Sequence, residues 1–147
     1  MAGLRQALFL AGLLLPGWLL QSAPAWAVNP PPVPAELAGI WRWVGLDAPG
    51  KATRVSAPER YLLSFPEAGR IALKADCNRA AGGASFGENG ALKVGVMAMT
   101  RAMCPPGSLG DQFAEDVSLV THWSIKDGAL LLELGDGKGT MRFLPQM

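Results

Sequence analysis

The stretch that decides the fold is Leu37-Ala38-Gly39-Ile40-Trp41-Arg42-Trp43-Val44. Successive side chains of a strand point to opposite faces, so Ile40, Arg42 and Val44 share one face and Trp41 and Trp43 the other. Tryptophans on one face of a short strand belong to a core by default. Stacking on a ligand is the alternative use of Trp41, Trp43 and Trp123.

Similar short runs follow toward the C-terminus. Residues 61–65 and 70–75 read as strands joined by Pro66-Glu67-Ala68-Gly69. Residues 84–86 and 91–96 read as a hairpin through Gly87-Glu88-Asn89-Gly90, whose Asn-Gly pair tolerates the positive φ of tight turns. Residues 123–125, 129–134 and 140–144 complete the set. They are separated by Lys126-Asp127-Gly128 and by the glycine-rich 135–139. Residues 47–58 read as a loop, 79–83 as a small flexible segment and 97–107 as irregular, with Pro105-Pro106 breaking regular structure.

One helix is expected, over about 108–121. Ser108 is placed to cap it, Asp111 sits three residues on, and Leu109, Phe113, Val117 and Val120 recur at helical spacing. Acidic residues near its start suit the helix dipole. About seven strands and one helix predict a mainly β (α+β) domain: a small antiparallel, barrel-like curved sheet with one helix packed on it.

Toward the N-terminus, residues 28–36 contain four prolines within VNPPPVP and form an extended spacer. Before it, Arg5, an almost wholly apolar run over 7–20 and Ala25-Trp26-Ala27 make the three parts of a cleavable signal peptide, residues 1–27. A transmembrane anchor is the alternative, but Pro16 and Gly17 interrupt a run shorter than the roughly 20 residues a span needs. No cysteine follows the run to carry acyl chains. The expected product is therefore soluble, periplasmic or secreted, without a stable membrane anchor.

Of 147 residues, 120 remain after the leader, enough for one core in one domain spanning 37–147. The leader carries one charge, Arg5. Its loss takes the 13 basic residues to 12 against 12 acidic ones. A neutral chain lacks the basic excess of nucleic-acid binders and the basic amphipathic helix of membrane-surface proteins. Cys77 and Cys104 are an even pair. In an oxidising compartment such a pair suggests one disulfide, and two buried free thiols are the alternative. A bridge over 27 positions is worth roughly 3–4 kcal/mol in the chain-entropy model.

Few residues of the sequence suggest chemistry. His122 is the only histidine and stands without an orienting partner. One histidine and two separated cysteines make a poor metal site. Asp76 is a lone carboxylate beside a loop. Gly82-Gly83 and residues 135–139 lack the strand–loop–helix context of phosphate loops. The expectation is a chain without catalytic, cofactor-binding or metal-binding residues, acting as a monomer through an unknown protein or cell-envelope partner.

Three stretches resemble the META domain family, which includes the HslJ-like heat-shock-inducible proteins of the bacterial envelope. They are the tryptophan strand 37–44; Ala75-Asp76-Cys77-Asn78-Arg79 followed by Gly82; and Thr100-Arg101-Ala102-Met103-Cys104-Pro105-Pro106-Gly107-Ser108-Leu109. The similarity runs over 37–145. It marks Trp41, Asp76, Asn78, Arg79, Gly82, Thr100 and Pro105 as family-motif positions. It implies a compact barrel-like fold with one helix, Cys77 close to Cys104 and an association with envelope stress and drug tolerance, and it does not imply an enzyme. Many members have glycine where this chain has Asp76, and an aromatic residue where it has Ala84. Phe86, two residues on, would share the face of Ala84. A non-catalytic envelope module is the leading expectation. A small-ligand-binding barrel is the second, and it needs an open cavity. An inhibitor of a secreted hydrolase such as lysozyme is the third, using 97–107 or 47–58 as the protruding loop.

Overall fold

Nine antiparallel strands and one helix account for most of residues 29–147, which the computed structural model describes. The strands are β1 (Ile40–Ala48), β2 (Lys51–Arg54), β3 (Tyr61–Ser64), β4 (Arg70–Ala75), β5 (Asn78–Phe86), β6 (Leu92–Met99), β7 (Val120–Lys126), β8 (Ala129–Leu134) and β9 (Gly139–Pro145). Helix α1 (Gly110–Ser118) lies between β6 and β7. The expected leader with its cleavage site, residues 1–27, and Val28 lie outside the described residues.

All nine strands belong to one sheet, ordered β6-β5-β4-β3-β1-β9-β8-β7, with β2 on β1 beyond β3. The sheet curls into a half-barrel. At the meeting of its two ends, Ala91, just before β6, forms an isolated antiparallel bridge with His122 of β7. Every neighbouring pair is antiparallel, as the short alternating runs predict.

The tryptophan strand behaves as its alternation requires. Trp41 and Trp43 are buried, while Arg42 and Val44 on the other face are half-buried. Each indole also satisfies its N–H: Trp41 Nε1 donates to the Leu37 carbonyl at 3.2 Å, and Trp43 Nε1 to the Gly45 carbonyl at 2.8 Å. The curl is filled by side chains. Phe113 of α1 stacks on Trp43 with centroids 5.1 Å apart, and Tyr61 stands edge-on to both rings. Phe143, Leu63, Ile71, Leu130, Leu132 and Met141 close around them, fully buried. Burying a side chain such as Phe113 is worth about 2–3 kcal/mol, so α1 is held by what it inserts rather than by its nine residues of propensity.

The structure corrects several boundaries. Residues 47–58 are not a plain loop: β1 runs on to Ala48 and returns as β2 through Pro49-Gly50, Gly50 having φ +70°. That turn chemistry makes a hairpin from a run with little hydrophobic alternation. Residues 79–83 are not a flexible segment but part of β5. Their glycines and alanines sit in the ladder between β4 and β6. Their small size answers a crowding requirement: a β-carbon on Gly82 would stand 2.7 Å from the Val96 carbonyl oxygen, where the β5–β6 register shifts. Residues 97–99 likewise belong to β6.

The helix is shorter than 108–121. Ser108 accepts the Gly110 N–H at 3.2 Å, but Leu109 takes the capping position, and the helix ends at Ser118. Val120, on the helical stripe by spacing, is the first residue of β7. The spacer ends earlier as well, because Ala35–Leu37 form a single 3-10 turn that buries Leu37. At the differing aromatic position, Ala84 is buried. Phe86 lies on the same face, edge-on to Phe65 at 5.1 Å.

Candidate functional site

Between β6 and α1 the chain crosses ten residues without regular structure, 100–109, over the turn that joins β4 to β5. Asp76 and Cys77 form that turn. Asp76 has φ +63°, a left-handed conformation that glycine adopts freely and aspartate tolerates better than most residues. Glycine, the residue the resemblance leads one to expect here, would adopt this conformation without strain. Here the side chain finds its own anchor: Arg60 Nε donates to Asp76 Oδ1 at 2.7 Å and the guanidinium closes an ion pair on the same oxygen. The carboxylate is buried, and its Oδ2 has no hydrogen-bond partner.

Asn78 is the centre of the arrangement. It is buried at the start of β5, and its amide reads the backbone of the loop as a strand would. Its Oδ1 accepts the Ala102 N–H at 2.8 Å, and its Nδ2 donates to the Ala102 carbonyl at 2.9 Å. The Oδ1 also accepts from the Thr100 hydroxyl at 2.8 Å. Thr100 Oγ1 in turn accepts the Arg79 N–H at 3.0 Å, while the Thr100 N–H donates to the Arg79 carbonyl at 3.0 Å. One buried side chain and one hydroxyl therefore extend the pairing of β5 past the end of β6. Leaving the buried Asn78 amide unpaired would cost about 1–3 kcal/mol.

Cys77 and Cys104 are joined as a disulfide, with Cα atoms 5.5 Å apart. The far end of the loop is held by the Leu109 N–H, which donates to the Tyr61 hydroxyl at 2.9 Å. Tyr61 thus serves both regions, with its ring in the core and its oxygen on the loop. Between these anchors the loop projects. Met103 is 98% exposed, and Arg101 reaches the Asp111 carboxylate at 3.6 Å across the surface. Asn78, Arg101, Cys104, Pro105 and Asp111 line an open groove of about 460 Å³.

The motif positions thus divide. Asp76, Asn78, Arg79 and Thr100 meet around the disulfide, and Pro105 belongs to the loop they hold. Trp41 and Gly82 serve the core and the β5–β6 crossing instead. Arg60, Tyr61 and Met103 are the residues sequence reasoning missed. Met103 carries a legible signal: a large apolar residue in a segment without periodicity, two positions before a proline pair. Arg60 and Tyr61 carry none, since their partners lie 16 and 48 positions away.

His122 is exposed where β7 shifts register against β8, and its Nδ1 lies 3.2 Å from the Thr121 hydroxyl. Among the described residues no group of three or more His, Cys, Asp or Glu side chains stands together, and no helix is long and apolar enough to cross a membrane. Asp116, on α1, has a raised pKa. Burial holds it above the ordinary value of 3.8, against a hydrogen bond from Gln112 Nε2 at 3.4 Å that lowers it.

With this geometry in place, the sequence model of the META domain matches residues 35–147. The chain belongs to the META domain family. This META domain is similar in fold to a protein from Burkholderia xenovorans solved by NMR. The TM-score is 0.61 at 19% identity, covering 86% of this chain and 97% of that one. A DUF4847 family protein from Bacteroides vulgatus matches at TM-score 0.54 and 12% identity, over 76% and 95% of the two chains. A further NMR structure matches at TM-score 0.55 and 23% identity, over 74% and 89%. At these identities the likeness is one of fold. No curated protein matches the chain.

Proposed function

We propose that this META domain is an exported, non-catalytic interaction module of the cell envelope, contributing to stress tolerance, whose contact element is the clamped loop 100–109. The carrying observation is the contrast within that loop. Both ends are fixed by buried groups and a disulfide, while Met103 is almost fully exposed between them. Preorganised loops lose little entropy on association, and an exposed apolar side chain is a usable anchor for a protein partner. A disulfide suits an oxidising compartment, which supports export. A filled interior argues against the reading as a ligand-holding barrel. A rigid projecting loop also favours, as a narrower form of the proposal, insertion into the active site of a secreted hydrolase.

The test is affinity capture from periplasmic extract, comparing wild type with Met103→Asp, together with native mass spectrometry. Capture of one protein by the wild type and its loss in the variant is the expected result. Equal capture by both, or a retained small molecule in place of a protein, overturns the proposal. N-terminal sequencing tests export separately. The mature chain is expected to begin at Val28, and a chain beginning at Met1 contradicts export.

A further inference from the structure

We infer that the Cys77–Cys104 pair is a directional thiol–disulfide exchange site, in which Cys77 receives an incoming thiolate and Cys104 leaves. Two independent features of the structure give that direction. The first is access. Cys77 is exposed on the turn between β4 and β5, whereas Cys104 is half-buried in the loop above it. Exchange starts with a thiolate reaching one sulfur, and exposed disulfides are the labile ones. The second is the stability of the leaving group. Asn78 Nδ2 donates toward Cys104 Sγ at 3.4 Å, so an N–H dipole favours negative charge on that sulfur. Cys77 Sγ faces the carbonyl oxygen of Ala102 at 3.8 Å, which opposes negative charge there. The better leaving thiolate departs faster, so access and electrostatics select the same pair of roles.

The fitting partner is a protein dithiol whose attacking thiol has a lowered pKa. Its thiolate forms a bond to Cys77 Sγ. The bond between Cys77 and Cys104 breaks, and its electron pair leaves on Cys104 beside the Asn78 amide. The partner's second thiol gives its proton to solvent and attacks its own sulfur in the mixed disulfide, and Cys77 leaves as a thiolate. Both cysteines then take protons from water. The partner is oxidised to a disulfide by two electrons, and this protein is reduced to two thiols. The loop is left on Asn78, Thr100 and the Leu109–Tyr61 bond, so exchange loosens the element that carries Met103. The chemistry rests on the cysteine pair alone and does not depend on what the loop binds.

The experiment uses the oxidised mature protein, reduced glutathione as probe and N-ethylmaleimide to trap the freed thiol, followed by peptide mass mapping. Glutathione is expected on Cys77 and the maleimide on Cys104, with an excess of about tenfold or more over the reverse pattern. An even distribution, an excess on Cys104 or no adduct at either cysteine overturns the inference. Asn78→Ala removes the donor and is expected to shrink the excess. Thr100→Ala loosens the loop but keeps the donor, and is expected to preserve it. Equal loss of the excess in both variants contradicts the role of Asn78.

Discussion

The inside of the half-barrel and the loop above it are held by opposite means. Inside, Phe113, Trp43, Tyr61 and Phe143 pack ring against ring, and fixation comes from many weak contacts spread over a filled volume. The loop 100–109 has little apolar burial of its own. A few directional links fix it: the Asn78 amide, the Thr100 hydroxyl, the Tyr61 hydroxyl and one disulfide. The first kind of order builds a scaffold. The second holds a surface in one shape while leaving its side chains free to touch something else.

The largest expected effect lies inside. Phe113→Ala removes the ring that α1 inserts and is expected to cost about 3–5 kcal/mol, read as a lower thermal midpoint for the whole domain. A loss below about 1 kcal/mol would mean the interior is not the scaffold described. Next comes Cys77→Ser, which is expected to cost about 3–4 kcal/mol in denaturant titrations, mainly through the freed unfolded chain. The loop itself answers to Asn78→Ala, with an expected cost of about 1–3 kcal/mol. Asp76→Gly loses the Arg60 ion pair, relieves a left-handed residue and deletes an unpartnered buried oxygen. These effects oppose one another, so a net change within about 1 kcal/mol is expected. Asp76→Val retains the backbone strain without the anchor and is expected to be clearly worse.

The smallest effect is a pH dependence. The Asp116 carboxyl has its pKa raised in the folded protein by burial. The folded state therefore binds this proton more tightly than the unfolded chain. That contribution to stability is full below the ordinary value of 3.8 and is lost as pH rises through the raised folded value. Asp116→Asn is expected to flatten this part of the profile in equilibrium unfolding across pH 3 to 7. An unchanged profile would contradict the assigned cause.

Much of the scaffold is legible in the sequence because it follows local rules. The alternation at 40–44 sets its buried face, and Asn89-Gly90 and Asp127-Gly128 adopt the positive φ values of tight turns. What misleads is residue size and turn chemistry. The run Ala80–Ala84 has no large side chain to announce a strand, yet smallness is what lets β6 cross so closely at Gly82. Pro49-Gly50 hides a hairpin inside a polar stretch. The helical stripe extends to Val120 by spacing, although the chain has already turned into β7. At the site, the motif residues and the cysteine pair are visible in sequence. The anchors Arg60 and Tyr61 are not, because three-dimensional pairing over long separations leaves no local pattern.

The separation of scaffold from loop is tested most directly by two-dimensional ¹⁵N–¹H spectra of the protein and of its Asn78→Ala variant. This reads the folded state itself, so a change in global stability does not confuse it. The amide resonances of residues 100–104 are expected to move or broaden while the indole resonances of Trp41 and Trp43 keep their positions. Displaced indole resonances, or unmoved resonances over 100–104, would contradict that separation.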